Sequence, residues 1–262
     1  MNVNTLRSES SVPVDLPPRQ EPMKVDEYLR IAASHSGFKS PESLRFRCES
    51  VFKDVDLTDR SVMEIGAGSG NLCFWAGFQG ARAVVGLEPD IDGSTSGDVQ
   101  LFETMIGQTG LRTVSLCNET IQEYRAPLEQ FDVVVSHNSM EHLDESVVAQ
   151  LSRDDRARQV YAQILQKVAS SMKPGAQLII CNQSKTNFWP MIGRRNPFSP
   201  TLDWPLHPTP RTWKRLLVAN GFCDVRLSWP VRYRARKLGP LAANPVFAFF
   251  TDSMFRLAAR RR

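Results

Sequence analysis

The chain has 262 residues, of which 42% are hydrophobic and 23% charged, and its formal net charge is +4. These values are typical of a globular protein with one main domain, and neither a secretory signal nor a stretch of about 18 apolar residues is evident. The five cysteines form no Cys-x-x-Cys pair, which argues against a disulfide framework or a zinc site and for a cytoplasmic protein.

The first 58 residues divide into two parts. Residues 1–23 are polar and contain four prolines, so we predict that they are disordered. Two helices follow near 24–34 and 41–53, the second with Ser40 as its N-cap and a proline in its first turn. We expect these helices to form an N-terminal helical cap over residues 24–58.

Residues 59–262 form the predicted main domain, in which short apolar segments alternate with helical ones. The strands are expected at 61–65, 82–87, 112–117, 131–136 and 176–182, and the helices near 69–79, 97–108, 142–150 and 154–173. Strands that are apolar throughout and alternate with helices are typical of a parallel sheet covered on both faces. The sequence therefore predicts a doubly wound α/β fold.

Three further elements complete the predicted domain. Thr209 caps a helix that Gly221 closes. Asp224–Trp229 is expected to be the sixth strand, and Ser253–Ala259 the seventh.

The segment 183–209, before the late helix, is long for a connection between a strand and a helix. Its large side chains and arginines are Phe188, Trp189, Met191, Arg194, Arg195, Phe198 and Trp204. We predict a substrate cap, in which rings stack on the acceptor and arginines pair with a phosphate or carboxylate. A plain loop with its own small apolar cluster is the alternative.

A glycine-rich turn follows the first strand, and a carboxylate ends the second. Glycines 66, 68 and 70 follow Glu64, and Glu88 stands about twenty residues further on. Bare backbone admits a ligand, and Glu88 is placed to accept hydrogen bonds from ribose hydroxyls. A dinucleotide fingerprint needs a glycine at position 71, which is Asn71, and the carboxylate of Glu64 suits an ammonium group better than a diphosphate.

Three later segments accompany this turn in the same chain order. They are Phe131–Leu143, with Phe-Asp, an apolar run and a Glu-His pair; Leu165–Ala176, with Lys-Pro-Gly; and Leu216–Phe222, which ends in Gly-Phe. Together with the glycine turn they resemble the class I S-adenosylmethionine-dependent methyltransferases. The resemblance implies a seven-stranded, mostly parallel Rossmann-like sheet with an antiparallel seventh strand, and S-adenosyl-L-methionine as the cofactor.

The resemblance also implies the cofactor site. Glu64 is expected to meet the methionine ammonium group, Glu88 the ribose, and Asn118 (or Glu119) the adenine amino group. The residue that ends the fourth strand would contribute backbone atoms. The implied cofactor-binding residues are Glu64, Gly66, Ala67, Gly68, Gly70, Glu88, Pro89, Asn118, Glu119, Ser136 and His137.

The chemistry of methyl transfer calls for a base only if the acceptor is a hydroxyl or another protonated group, and histidine suits that task. The candidates are His137, His142 and His207. No metal site is expected, because the sequence carries no evident acidic-acidic-His cluster.

The acceptor is expected to be a small molecule, a glycan precursor or a lipid-linked saccharide that is methylated on a hydroxyl oxygen. A quinone or polyketide-like aromatic acceptor, with O- or C-methylation, is one alternative, and a binding module without turnover is another. The motifs argue against nucleic acid as the substrate.

Charge is concentrated in residues 231–262, where eight basic residues face one acid, Asp252. Such a basic C-terminal segment is either a solvated tail or a contact for an anionic partner, and its apolar residues favour the inner face of a membrane among such partners.

Overall fold

A single seven-stranded sheet organises the protein in a computed structural model, which describes residues 23–35, 37–89, 97–125 and 127–262. The strand order is β3-β2-β1-β4-β5-β7-β6, and only β7 runs antiparallel to its neighbours. The strands are β1 (Ser61–Ile65), β2 (Ala83–Leu87), β3 (Val114–Cys117), β4 (Phe131–His137), β5 (Met172–Gln183), β6 (Phe222–Ser228) and β7 (Met254–Arg261). The expected mostly parallel sheet with an antiparallel seventh strand is confirmed.

Helices cover both faces of this sheet. They are α1 (Val25–His35), α2 (Pro41–Val51), α3 (Asn71–Phe78), α4 (Asp98–Thr109), α5 (Glu145–Val148), α6 (Asp155–Ser171), α7 (Phe188–Met191), α8 (Pro210–Ala219) and α9 (Pro245–Phe250). Helices α1 to α4 share one buried apolar cluster with the sheet, and α5, α6 and α8 share the other. Short 3-10 turns lie at Met140–Leu143, Trp204–Leu206 and Tyr233–Ala242.

The central strands explain why the sequence reads as apolar runs. Successive residues of β4 point to opposite faces, so that Val133 and Val135 join one cluster and Val134 joins the other. All five residues of β1 are buried as well. A strand with helices on both faces needs apolar side chains at every position, and the order of these strands then brings their carboxyl ends to one edge of the sheet.

Three predicted boundaries were wrong. The helix expected at 142–150 is a 3-10 turn and the short α5, because Asp144 is extended (φ −157°, ψ 90°) and its side chain caps α5. Strand β6 begins at Phe222, which pairs with Arg261, rather than at Asp224. Strand β5 begins at Met172, and its next four residues bulge out before pairing resumes.

The predictions for the N-terminal residues have different outcomes. The expected disorder of residues 1–23 concerns residues outside the described ranges, except Met23, which is buried and donates its N–H to Thr109 O. The helical cap over 24–58 contains α1 and α2 at the expected places. These helices pack into the same core as the sheet.

The basic segment 231–262 is not a solvated tail over its full length. It contains α9 and all of β7, and Arg256 in β7 is buried. The Arg256 guanidinium donates to Val51 O at 2.8 Å and to Lys53 O at 2.9 Å, which ties β7 to the end of α2. Among the described residues, no helix has the length and apolar character needed to cross a bilayer.

Candidate active site at the carboxyl ends of the parallel strands

The glycine turn between β1 and α3 needs its glycines for two different reasons. Gly66, Gly68 and Gly70 all have positive φ angles, of 69°, 51° and 78°. A Cβ atom on Gly66 would overlap the Ser139 side chain, and one on Gly70 would lie 2.6 Å from the Phe102 ring. A Cβ on Gly68 would meet nothing closer than 3.5 Å. Internal packing therefore requires Gly66 and Gly70, whereas Gly68 leaves bare backbone open to a ligand.

Glu88 lies directly beside this turn. Its Oε2 accepts a hydrogen bond from the Gly68 N–H at 2.7 Å, and the residue is only 8% exposed. Burial raises the pKa of Glu88, the Gly68 hydrogen bond opposes that rise, and the nearby Asp98 carboxylate adds to it. A carboxylate fixed through one oxygen beside bare backbone can accept hydrogen bonds from a vicinal diol, as the sequence predicted for ribose.

Glu64 is buried at the end of β1, on the side of α3. The Cys73 thiol donates to its Oε2 at 3.1 Å. Burial raises the pKa of Glu64 to about 8, although the Cys73 hydrogen bond lowers it. A buried carboxyl without a cationic partner favours its neutral form, so a ligand ammonium group would supply the charge that this site lacks.

The remaining cofactor candidates border the same pocket. The Ala67 N–H donates to Leu87 O at 2.9 Å, which ties the turn to β2. The Glu88 N–H donates to Cys117 O at 3.1 Å, which brings the end of β3 beside Glu88. Asn118 and Glu119 are therefore adjacent and exposed, and Pro89 is half-buried.

The end of β4 completes the pocket with Ser136 and His137. Ser136 pairs in register with Ile65, next to the glycine turn. Ser136 Oγ and, two residues later, Asn138 Oδ1 are buried and have no hydrogen-bond partner among the described residues. The open backbone at Gly68 and the Glu88 carboxylate beside it are the features that fit a nucleoside cofactor.

A cleft of about 1130 Å³ begins at His137 on the other side of β4's end. Helix α2 forms one wall, the cap segment a second, and residues 230–238 with α9 the others. Its apolar lining includes Phe38, Phe46, Trp189, Phe198, Phe247 and Phe250. Of the predicted cap residues, Trp189 and Phe198 line this cleft, whereas Arg194 and Arg195 are exposed outside it.

Arg47 contacts His137 inside the cleft. The Arg47 Nη1 lies 2.6 Å from His137 Nε2, and because a guanidinium only donates, Nε2 accepts. Burial and then the Arg47 charge lower the pKa of His137 to about 3. The neutral imidazole must carry its proton on Nδ1, which leaves no free lone pair. This geometry argues against His137 as a general base and places it as the partner that orients Arg47.

The cleft is strongly cationic. Its charged lining residues are Lys39, Arg47, Arg232, Arg234, Lys237 and Asp252. Asp252 pairs with Arg232, with Oδ2 at 3.5 Å from Nε, and it is the one carboxylate among the described residues of the lining. No ion pair within 4.0 Å joins Arg47 to a carboxylate in the described part of the chain. A half-buried cation of this kind suits an anionic ligand.

His142 and His207 lie in a different place, around Glu141. His207 Nδ1 is 3.3 Å from Glu141 Oε1, and both side chains are buried. His142 is exposed, and its Nδ1 lies 2.5 Å from Glu145. Burial, and then the nearby His142, lower the pKa of His207 to about 4. Neither residue lines the cleft, so of the three candidate bases the structure brings only His137 to the candidate acceptor site.

Two residues of the cleft were missed from the sequence. Arg47 gives no signal, because it lies on an ordinary polar face of α2 and its partner His137 is 90 residues away. Asp252 does give a signal in the sequence, because it is the single acidic residue within a basic segment. The described residues contain no group of three or more His, Cys, Asp or Glu side chains with metal-binding geometry.

Comparison with known proteins adds the family and the fold neighbours. Residues 21–227 match the family model described as a methyltransferase domain. Similar solved structures include an S-adenosylmethionine-dependent methyltransferase of Mesorhizobium loti (17% identity, TM-score 0.54, 79% of this chain and 93% of that one). One of Archaeoglobus fulgidus has 18% identity and a TM-score of 0.55, covering 90% of this chain and 100% of that one.

A third similar structure contains bound ligands. It is phosphoethanolamine N-methyltransferase 1 of Haemonchus contortus in complex with phosphoethanolamine and S-adenosylhomocysteine. Its identity to this chain is 12% and the TM-score is 0.59, over 85% of this chain and 43% of that one. At these identities the structural likeness establishes the fold.

Proposed function

The chain belongs to the class I S-adenosylmethionine-dependent methyltransferase family, and on this basis we propose that it methylates a hydroxyl oxygen of an acceptor with an apolar body and an anionic group. Small molecules, glycan precursors and lipid-linked saccharides all provide such acceptors. The observation that carries this proposal is an apolar and cationic cleft that reaches His137. Ser139 Oγ lies 3.1 Å from His137 O and 3.2 Å from Gly66 O, which puts this end of the cleft beside the glycine turn.

S-adenosylmethionine supplies, when bound, a methyl group on a positively charged sulfur that a nucleophilic oxygen can attack. The chain's own residues position this donor. Glu88 and the bare backbone at Gly68 would hold the ribose side, and Glu64 would lose its proton to pair with the ammonium group. Because the cleft reaches His137 beside the glycine turn, an acceptor in the cleft has its reacting group at the end of β4.

Positioning supplies most of the acceleration in this scheme. Apolar rings on the cleft walls bind the body of the acceptor and exclude water, and Arg47 binds its anionic group. His137 keeps Arg47 oriented through Nε2. The proton of the acceptor hydroxyl passes to Asp252 or to solvent, since Asp252 is the one carboxylate among the described lining residues.

An aromatic acceptor, such as a quinone or polyketide-like ring, is the second candidate. The observation that favours it is the number of rings on the cleft walls, which suits stacking on a planar acceptor. Methylation would then occur at oxygen or at ring carbon. A binding module without turnover is the least favoured alternative, because a pocket for the donor alone does not explain a large lined cleft beside it.

Two measurements test the proposal. Calorimetric titration with S-adenosylmethionine should show binding that Glu88→Ala weakens more than about tenfold, or ~1.4 kcal/mol, whereas Glu103→Ala on the exposed face of α4 leaves it unchanged. Equal binding by both variants would show that the donor pocket is misplaced.

The second measurement is transfer of labelled methyl to lipid, saccharide and aromatic extracts, with mass spectrometry of the product. A methyl ether on a saccharide or other aliphatic hydroxyl supports the first proposal, and an aryl methyl ether or a ring C-methyl product supports the aromatic alternative. If the protein binds the donor but transfers no methyl group to any extract, the alternative of a binding module without turnover is favoured.

A further inference from the structure

Exposed apolar side chains are concentrated around the mouth of the cleft. Ten large hydrophobic side chains are exposed in the described part of the chain, and seven of them belong to the segments 188–198 and 238–250. These seven are Met191, Ile192, Phe198, Leu238, Leu241, Val246 and Phe250. We call the two segments together the cleft rim. Within the cleft rim, Leu241 and Val246 are 81% and 65% exposed.

The two segments of the cleft rim form one surface. The Trp189 indole N–H donates to Phe250 O at 2.9 Å, and the rings of Phe188 and Phe250 lie 5.0 Å apart. The buried amides of Asn187 and Asn196 both donate to Thr251 O, at 2.9 and 2.6 Å. These bonds fix α7 against α9, so the exposed apolar groups are held in place rather than carried on a loose loop.

The rim segments themselves carry charges of a single sign, although Glu42 of α2 lies close enough to Arg236 to interact with it and Asp252 pairs with Arg232. Residues 184–202 and 225–251 contain no Asp or Glu. Exposed cations accompany the apolar groups at Arg194, Arg195, Arg234, Arg236 and Lys237. Apolar side chains that enter the acyl boundary, together with cations at headgroup level, are the combination that binds peripheral proteins to anionic membranes. A second copy of the chain would bring one cationic rim against another.

We propose that the cleft rim docks on a lipid bilayer that contains anionic headgroups. Docking would turn the mouth of the cleft toward the membrane interface, since Trp189, Phe198, Leu238 and Phe250 belong both to the rim and to the cleft lining. The apolar walls and Arg47 would then receive an amphipathic anionic lipid directly from the bilayer. This last step depends on the proposed function of the cleft, whereas the docking itself does not.

Vesicle sedimentation with the full chain tests the docking without donor or acceptor. The protein should sediment with vesicles of phosphatidylcholine and phosphatidylglycerol, sediment far less with phosphatidylcholine alone, and be released by high salt. The double variant Leu241→Glu, Val246→Glu should lower the partition coefficient at least about tenfold. The matched control Leu128→Glu, Val218→Glu adds the same charge at exposed apolar positions outside the rim and should bind as the wild type does.

Three results would overturn the docking: no sedimentation with either vesicle, equal sedimentation with both, or equal losses in the rim variant and its control. Sedimentation velocity tests a further alternative. If the wild type does not bind vesicles but forms a dimer, and the rim variant is a monomer, the rim is an interface between two copies of the chain. Titration of the same preparations with S-adenosylmethionine reports separately on the donor pocket, so a failed docking and a failed function are distinguishable.

Discussion

The guanidinium of Arg47 and the imidazole of His137 meet 2.6 Å apart, although they come from a helix and a strand that lie 90 residues apart in the chain. The contact settles the protonation of both groups, with the charge on Arg47 and a neutral ring on His137. The contact also places a cation rather than a base at the end of β4. An acceptor that reaches the end of β4 therefore meets a positive charge.

Removing this charge should weaken acceptor binding and change the titration of His137. Arg47→Gln is expected to raise KM for an anionic acceptor at least about tenfold, because a charged hydrogen bond contributes roughly 1.5–3 kcal/mol. Without the Arg47 charge the pKa of His137 should rise from about 3, which an NMR pH titration of the imidazole would detect. Arg45→Gln is the matched control, because Arg45 also belongs to α2 but lies over Trp75 and does not line the cleft. An unchanged His137 titration in Arg47→Gln would contradict the contact.

Donor binding should depend on pH through Glu64. Its pKa in the free protein is about 8, so the carboxyl is protonated at pH 6, and an ammonium ligand that requires the anion must expel this proton. Affinity for S-adenosylmethionine should therefore rise with pH from 6 to 8, by up to about tenfold per pH unit, and level off above 8. Calorimetry across this range measures the slope, and Glu64→Gln should flatten it. A slope that persists in Glu64→Gln would assign the proton to another group.

The glycine turn allows a stability test with an internal control. Gly66→Ala should cost roughly 2–5 kcal/mol of unfolding free energy, because the new Cβ overlaps Ser139 and the φ angle is +69°. Gly107→Ala, within α4 and with open space around the new Cβ, should instead stabilise by about 0.5–1 kcal/mol. Denaturant unfolding measures both. Similar costs at the two positions would mean that Ser139 does not sit on the turn.

The link between β7 and α2 gives another prediction. Arg256→Met keeps much of the buried volume but leaves the carbonyls of Val51 and Lys53 without their donors, and we expect a loss of about 1–3 kcal/mol. Arg226→Met, at an exposed position of β6, should change stability by less than about 0.5 kcal/mol. Thermal unfolding of the two variants provides the comparison. If both variants melt as the wild type does, the guanidinium does not support the end of α2.

The parallel part of the fold and the donor pocket were predictable because they are encoded locally. Each strand from β1 to β4 is a short apolar run, and the turn from Gly66 to Gly70 carries its own backbone requirement. Glu88 directly follows β2, and the parallel pairing of β2 with β1 places it beside that turn. Local sequence and strand register together therefore place Glu88 without knowledge of any distant contact.

The cleft was not predictable in the same way, because it depends on side chains from distant segments. The sequence favours His137 as a base on residue type alone, and only the approach of Arg47 shows that its Nε2 is occupied. Likewise Arg256 lies within the expected seventh strand, but only the structure shows that its guanidinium donates to Val51 O and Lys53 O. The helix expected at 142–150 is interrupted at Asp144. The backbone of Asp144 is extended, and its side chain caps the N-terminus of α5.

Strand β6 precedes β7 in the chain, yet β7 is its one partner in the described sheet. During folding, β6 can therefore join the sheet only after β7 is in place, and the chain between β6 and β7 must close as a long loop. That loop contains Tyr233–Ala242 and α9, which line part of the cleft. The cleft should therefore form in the last step of sheet assembly. In hydrogen exchange, we expect the amides of the loop between β6 and β7 to exchange faster than those of β1 and β2 beside the glycine turn.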